Sequence, residues 1–281
     1  MYHAAMGPID FHTHAFPDAL APTAIAKLMA SGKEENLRAH HDGTVAGLVA
    51  AMDAAGVAFS VVASIATKPT QNRAILEWCV AVREGERKRE GGGRLVPFPS
   101  VHPASSDAEE AVDRAAEAGF KGLKLHPYYQ DAALDSPAVI RLARRAAKRK
   151  LILLCHSGYD AAFPSDPVAS PPKIRALLDA CPDLTLVAAH LGGWKDWEAA
   201  RDLLVGLPIY LDTSFSLNYL SRDAALEFLA AHPRTHLLFG SDSPWDDQRS
   251  SLSRLAEIGR GLGFGWLDAV TSANARALLG L

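Results

Sequence analysis

The chain has 281 residues, 48% of them hydrophobic and 22% charged, with a formal net charge of −3. The length suits one α/β barrel, for which roughly 250 residues are typical. The small, dispersed charge argues against a nucleic-acid groove or a membrane-surface patch, so neither partner is expected. Three scattered cysteines, no apolar run of about 18 residues and no signal-peptide pattern at residues 1–4 predict a cytoplasmic protein.

Short apolar runs alternate with amphipathic stretches along the sequence. The runs predicted to be strands are 8–12, 57–65, 94–101, 120–125, 151–155, 184–189, 209–213 and 236–240. The stretches predicted to be helices are 44–55, 71–90, 107–118, 136–150, 172–180, 194–205, 222–231, 252–260 and 267–279. Residues 15–42, broken by Pro17 and Pro22, are predicted to be an irregular excursion after the first strand, and long loops of this kind often carry function.

The alternation itself predicts the fold class. Continuous apolar strands are typical of a parallel sheet that is buried on both faces. Eight strands, each followed by a helix, favour a single α/β domain over residues 1–281 that closes into a (β/α)8 TIM barrel. An open doubly wound sheet is the alternative, but no Gly-x-Gly-x-x-Gly turn follows the first strand as a dinucleotide-binding version would require.

The first strand ends in two histidines, within Ile9-Asp10-Phe11-His12-Thr13-His14. Because strand side chains alternate, His12 and His14 lie on one face together with Asp10, where two imidazoles can chelate one metal ion. A solvated strand end is the alternative for this motif taken alone.

Polar side chains also follow most of the other predicted strands. The carboxyl ends of barrel strands meet at one mouth, where the active sites of such barrels lie. Six of the eleven histidines fall at these ends, which chance placement would not produce. Besides the first pair, the strand-end residues are His102, Lys124, His126, His156, His190 and Asp242.

This order of strand-end residues resembles the amidohydrolase superfamily of metal-dependent barrels. The segments 9–14 and 238–245 most resemble its amidohydrolase-related branch, which also contains aminocarboxymuconate-semialdehyde decarboxylase and other non-oxidative decarboxylases. The resemblance implies one divalent metal ion, bound by His12, His14, His156 and Asp242. Zinc is the first choice, with manganese, iron and cobalt as alternatives.

The resemblance also implies catalytic roles for two residues. His190 would contact the substrate or the metal-bound water and move protons, a task that suits histidine because the unperturbed imidazole titrates near neutral pH. Asp242 would bind metal and could also accept a proton from the water. His126 and His102 are candidates for binding an anionic or polar substrate group, and Trp245 for contacting a planar substrate.

Lys124 has three interpretations. In some superfamily members a carbamylated lysine at the end of strand 4 bridges two metals, but a cation for a substrate carboxylate and a structural ion-pair partner are both weighted above it. A second metal is therefore not expected. Two other features are discounted: the pair His40-His41 is read as solvated, and Cys155 points away from the face that carries His156.

The first functional expectation is a hydrolase that acts on an amide, lactone or ester bond of a small polar or cyclic substrate through a metal-activated water. A non-oxidative metal-dependent decarboxylase is the alternative, and a metal-binding barrel without catalytic activity is a minor one. Related barrels are often dimers, so a homodimer is expected by analogy.

Overall fold

The computed structural model describes residues 7–89, 92–163, 165 and 167–281. Strands and helices alternate along these residues. The strands are β1 (Ile9–Thr13), β2 (Phe59–Ala63), β3 (Leu95–Phe98), β4 (Gly122–Leu125), β5 (Ile152–Cys155), β6 (Leu186–Ala188), β7 (Tyr210–Asp212) and β8 (Leu237–Leu238). The helices are α1 (Ala21–Ser31), α2 (Val45–Ala55), α3 (Asn72–Arg87), α4 (Ala108–Glu117), α5 (Pro137–Lys148), α6 (Pro171–Ala180), α7 (Trp197–Leu204), α8 (Arg222–Ala231), α9 (Gln248–Gly259), α10 (Trp266–Asp268) and α11 (Asn274–Leu279), with a π-helical stretch at Ala269–Ala273.

One compact unit contains the described part of residues 1–62 together with residues 205–281. Within it, β1 pairs in parallel with β2, and β7 pairs in parallel with β8. The Phe11 N–H donates to the Phe239 carbonyl at 2.8 Å, and a parallel bridge joins Thr13 to Ser243. The strand order in this unit is therefore β7, β8, β1, β2.

The second compact unit contains residues 63–204. Its strands β4, β5 and β6 pair in parallel. A parallel bridge between Ser100 and Lys124 adds the chain after β3 beside β4. These strands are buried along most of their length, as expected for apolar runs in a parallel sheet.

The excursion after β1 is more ordered than predicted, because residues Ala21–Ser31 form α1. Pro22 lies in the first turn of this helix, where a backbone N–H has no intrahelical partner to lose. The prolines that made the segment look irregular therefore mark a helix start.

The helix ends differ from prediction by a few residues, as end signals allow. Helix α9 begins earlier than predicted, since the Asp247 carboxylate accepts from the Ser250 N–H as its N-cap. The predicted end of the helix 71–90 lies outside the described residues, as do residues 1–6. Among the described helices, none has the length and apolar character to cross a membrane. That residues 1–281 form a single domain stays a prediction.

Candidate active site

Three of the predicted metal ligands come together in the first unit. His12 lies in β1, His14 follows it, and Asp242 follows β8, which neighbours β1. The Asp242 Oδ1 atom lies 3.0 Å from His14 Nε2 and 3.4 Å from His12 Nε2. All three side chains are buried or nearly so, so a cation between them would be shielded from water.

The proton on His12 is fixed by its neighbours. Its Nδ1 lies 3.1 Å from Asp212 Oδ2 and 2.9 Å from Ser214 Oγ. A carboxylate only accepts, and the Ser214 hydroxyl donates to Asp212, so Nδ1 carries the hydrogen. In this tautomer Nε2 presents a lone pair to Asp242.

Two acceptor atoms, His12 Nε2 and Asp242 Oδ1, thus face each other at 3.4 Å, an arrangement that a cation between them would stabilise. Ligand atoms at about 2.0–2.2 Å from a tetrahedral zinc ion lie roughly 3.3–3.6 Å apart, close to the two distances that Asp242 makes. A carboxylate holding the far nitrogen of a ligating histidine is also the usual arrangement at zinc sites. The donor set therefore fits a divalent metal such as zinc.

The turn that carries Asp242 is held by backbone bonds to β1. Asp242 has a φ of +71°, an uncommon conformation for a residue other than glycine. Its N–H donates to the His12 carbonyl at 2.8 Å, while the His14 N–H donates to the Ser243 carbonyl at 2.6 Å. The ligands on the two strands are therefore fixed relative to each other.

A buried carboxylate lies beneath this turn. Asp10 accepts from the backbone N–H groups of His12 and Ser241, from the Ser241 hydroxyl and from the Gln248 amide. Burial raises the pKa of Asp10 to about 7, against the lowering effect of these donors. Asp10 therefore ties β1 to the chain after β8.

The second unit brings together His156 and His190. The Nε2 of His190 lies 3.0 Å from His156 Nδ1, and His156 Nε2 lies 2.9 Å from the Tyr159 carbonyl oxygen. Because a carbonyl only accepts, His156 carries its hydrogen on Nε2 and offers a lone pair on Nδ1. His190 therefore holds a hydrogen on Nε2 and donates it to His156.

The position of His190 is fixed by the conformation and the contacts of its backbone. Its φ is +59°, so both predicted catalytic residues, His190 and Asp242, have left-handed backbones. The Trp197 indole N–H donates to the His190 carbonyl at 3.0 Å. Gly158 lies against the chain after His190, where an added Cβ would lie 2.1 Å from the Trp194 nitrogen. Only glycine permits this approach.

His126 packs against the same group. Its ring stacks on the ring of His156 with centroids 4.2 Å apart and an interplanar angle of 18°. Its Nε2 lies 3.5 Å from Asp160 Oδ2, and the other Asp160 oxygen accepts from the Ala162 N–H at 2.8 Å. The ring of Tyr129 meets His126 edge-on at 4.6 Å. The structure thus places His126 among ring systems and beside a carboxylate.

Aromatic side chains join the chain after β4 to the chain after β5. The Tyr128 hydroxyl donates to the Gly158 carbonyl at 2.7 Å, and its ring stacks on Phe163 with centroids 5.4 Å apart. Phe163 also meets Tyr129 edge-on. A cluster of aromatic rings therefore adjoins the histidines of this unit.

The remaining predicted residues lie at separate positions. Lys124 is buried in β4, with 1% of its surface exposed. The neighbouring Cys155 thiol has its pKa raised to about 12 by burial, which suits an inert cysteine. His102 Nδ1 accepts from the Ala104 N–H, and burial lowers its pKa, so its ring holds its own loop as a neutral group. Trp245 is half-buried, and its backbone N–H donates to the Asp242 carbonyl, which closes the turn.

Sequence reasoning missed several residues of the site. Asp212 is the last residue of β7 and lies near the end of the predicted strand 209–213, so the strand-end rule that found Asp242 would also have found it. Asp160 lies in a loop five residues after β5, where no periodic signal indicates its direction. His41, read as solvated, is half-buried and hydrogen-bonded to Ser243, so that prediction is wrong for His41. That His156 joins the ligands of the first unit stays a prediction.

A family model described as Amidohydrolase matches residues 9–281. The chain belongs to the amidohydrolase family. This confirms the resemblance read from the strand-end motifs. Members of the family are metal-dependent enzymes, and the group of His12, His14 and Asp242 supplies atoms that could hold the ion.

Solved structures similar to this amidohydrolase cover nearly the whole chain. An uncharacterized TIM-barrel protein from Bordetella bronchiseptica aligns with a TM-score of 0.74 at 17% identity, over 97% of this chain and 98% of its own. The 5-carboxyvanillate decarboxylase LigW from Sphingomonas paucimobilis aligns with a TM-score of 0.70 at 13% identity, over 98% and 99%. A probable 2-pyrone-4,6-dicarboxylic acid hydrolase from Acinetobacter baumannii, with citric acid bound, aligns with a TM-score of 0.67 at 16% identity, over 98% and 100%.

These likenesses confirm the predicted (β/α)8 barrel fold of the amidohydrolase. Among curated proteins, none matches it by sequence.

Proposed function

We propose that this amidohydrolase is a divalent-metal-dependent decarboxylase of an aromatic or unsaturated carboxylic acid. The metal dependence rests on one observation, the lone pair of His12 Nε2 that faces Asp242 Oδ1 at 3.4 Å. The choice of reaction is supported by the likeness to 5-carboxyvanillate decarboxylase. The sequence alone favoured hydrolysis, and the solved structures favour its alternative.

His12 and His14 would hold the metal through Nε2, together with the Asp242 carboxylate. The resemblance adds His156 as a fourth ligand. Zinc fits this set of nitrogen and oxygen atoms, and manganese, iron or cobalt are the alternatives. When bound, such an ion supplies a Lewis acid for oxygen atoms of the substrate.

Non-oxidative decarboxylation exchanges a carboxylate for a hydrogen. The bond between the carboxylate and the substrate carbon breaks, its electron pair stays on that carbon, carbon dioxide leaves, and the carbon takes a proton. His190 is the proposed proton donor, because its Nε2 holds a hydrogen that it donates to a neighbouring nitrogen at 3.0 Å. His126 and Lys124 are proposed to bind polar groups of the substrate.

The aromatic cluster of Tyr128, Tyr129 and Phe163 beside the histidines supports a planar substrate. Aromatic rings favour stacked or edge-to-face contact with other rings. This points to the aromatic or unsaturated acids among the candidate substrates.

Hydrolysis of a cyclic ester is the second candidate, supported by the likeness to the probable pyrone hydrolase. In that reaction water adds to the ring carbonyl and the ring bond to oxygen breaks, which gives one carboxylate and one hydroxyl. His190 would then accept the proton of the water and return it to the leaving oxygen.

Product analysis separates the two reactions. Metal-loaded protein is incubated with a panel of aromatic carboxylic acids and lactones, once in deuterium oxide and once in ¹⁸O-water. We expect carbon dioxide in equal amount to the product, with deuterium on the carbon that lost it. Solvent ¹⁸O in the product without release of carbon dioxide would show hydrolysis and contradict the proposed decarboxylation. His190→Asn serves as the control for adventitious turnover.

A further inference from the structure

The excursion after β1 closes on itself before the chain enters α2. The Phe16 N–H donates to the Gly43 carbonyl at 2.8 Å, so the two ends of the segment lie side by side. Gly43 has a φ of +78°, and an added Cβ would lie 2.8 Å from the Ile25 side chain in α1. The end of the excursion therefore has a fixed path.

This fixed end meets the turn that follows Asp242. The His40 N–H donates to the Pro244 carbonyl at 2.8 Å, and His41 Nε2 lies 3.2 Å from Ser243 Oγ. The Gly43 N–H donates to His41 Nδ1 at 3.1 Å, so Nδ1 carries a lone pair and Nε2 carries the hydrogen. His41 therefore donates to the Ser243 hydroxyl.

Ser243 is the point at which this contact reaches the metal ligands. Its carbonyl accepts from the His14 N–H at 2.6 Å, and its own N–H donates to the Ser241 hydroxyl at 2.9 Å. It adjoins Asp242, whose backbone is left-handed. A shift of Ser243 would therefore move both His14 and Asp242. Burial also lowers the pKa of His41 to about 4, so the ring donates as a neutral group near neutral pH.

We infer that His41 is a positioning residue, which holds the carboxylate of Asp242 in its metal-binding place through the Ser243 hydroxyl. The inference rests on the proposed metal site. His40 provides a matched control, because its side chain is exposed and its backbone N–H makes the contact.

The test measures the dissociation constant of Zn²⁺ by titration against a competing chelator, with melting temperature of the metal-free proteins as the check on folding. His41→Ala should weaken Zn²⁺ binding by about tenfold, the lower end of the 10–100-fold range for residues behind a metal ligand. Ser243→Ala should also weaken it, through loss of the hydrogen bond that the two residues share, and the double variant should bind like His41→Ala, which already lacks that bond together with the one from the Gly43 N–H. His41→Gln, which keeps a donor, should recover part of the loss, and His40→Ala should bind like wild type.

Three results would contradict parts of the inference about His41. Wild-type affinity in both His41→Ala and Ser243→Ala would overturn the role of His41 and leave the metal site intact. Losses that add in the double variant would show that His41 does not act through Ser243. A wild-type protein that binds no divalent metal would overturn the proposed site itself. If His41→Ala does not fold, Ser243→Ala decides the first question.

Discussion

The nitrogen of His12 that is proposed to bind the metal is determined by the residue on the opposite side of its ring. Asp212 holds the hydrogen on Nδ1 and so leaves the lone pair on Nε2. Neither residue carries a sequence motif that links it to the other, as they are 200 positions apart. The position of the proton on His12 therefore depends on a residue that lies far from it in the sequence.

Asp212→Asn should weaken metal binding about 10–100-fold, because the amide is a poorer acceptor and can turn its NH₂ toward Nδ1. The measurement is the Zn²⁺ dissociation constant. Asp223→Asn on α8, a highly exposed carboxylate, is the matched control and should bind as wild type does. An unchanged affinity in Asp212→Asn would refute the role of Asp212.

His190→Asn should retain the metal and lose most of kcat, since a positioned acid–base group typically contributes about 10²–10⁴-fold. Metal analysis and turnover are measured on the same preparation. Loss of the metal together with activity would instead make His190 a ligand.

Lys124→Met should leave metal content unchanged and mainly raise KM, as expected when a substrate cation is removed. Methionine keeps the apolar stem in this fully buried position and removes only the charge. Two metal ions per wild-type chain, with activity that rises on added bicarbonate, would support the carbamylated lysine instead.

The carboxyl end of helix α8 is fixed by the hydrogen bonds of a histidine side chain. His232 is the C-cap of α8; its Nε2 donates to the Ile209 carbonyl at 3.0 Å, and its Nδ1 accepts from the Gly206 N–H. The bond that Nδ1 accepts requires the neutral ring, whereas Nε2 carries its hydrogen in either charge state. Burial lowers the pKa of His232 from 6.5 to about 4.

This shift predicts how stability depends on pH. Between about pH 6.5 and 4, His232 binds a proton in the unfolded chain but stays neutral in the folded chain. The free energy of unfolding therefore falls as pH falls through this window. His232→Gln lacks the titrating group and should give a shallower acid slope in urea melts taken at pH 7, 6, 5 and 4. Other histidines titrate in both proteins, so the difference isolates His232. Parallel slopes would contradict the shift.

At the scale of the whole molecule, the sequence predicted the fold and the strand-end ligands, because both follow from local patterns. Apolar runs and their spacing predict a barrel, and strand parity places His12 beside His14. Among the residues behind the ligands, Asp212 lies at a strand end and the same rule reaches it, whereas His41 was not predictable in this way. The contact between His41 and Ser243 depends on the path of the chain through the excursion, which no periodicity encodes.

The first unit draws on both ends of the chain, and this has a consequence for biosynthesis. His14 and Asp242 are 228 positions apart. At 5–20 residues per second, a ribosome needs roughly 10–45 s to make the chain between them. Throughout that interval His12 and His14 exist without Asp242, the carboxylate that completes this group of three residues. Binding of the proposed metal by this group would therefore follow translation of the last strand.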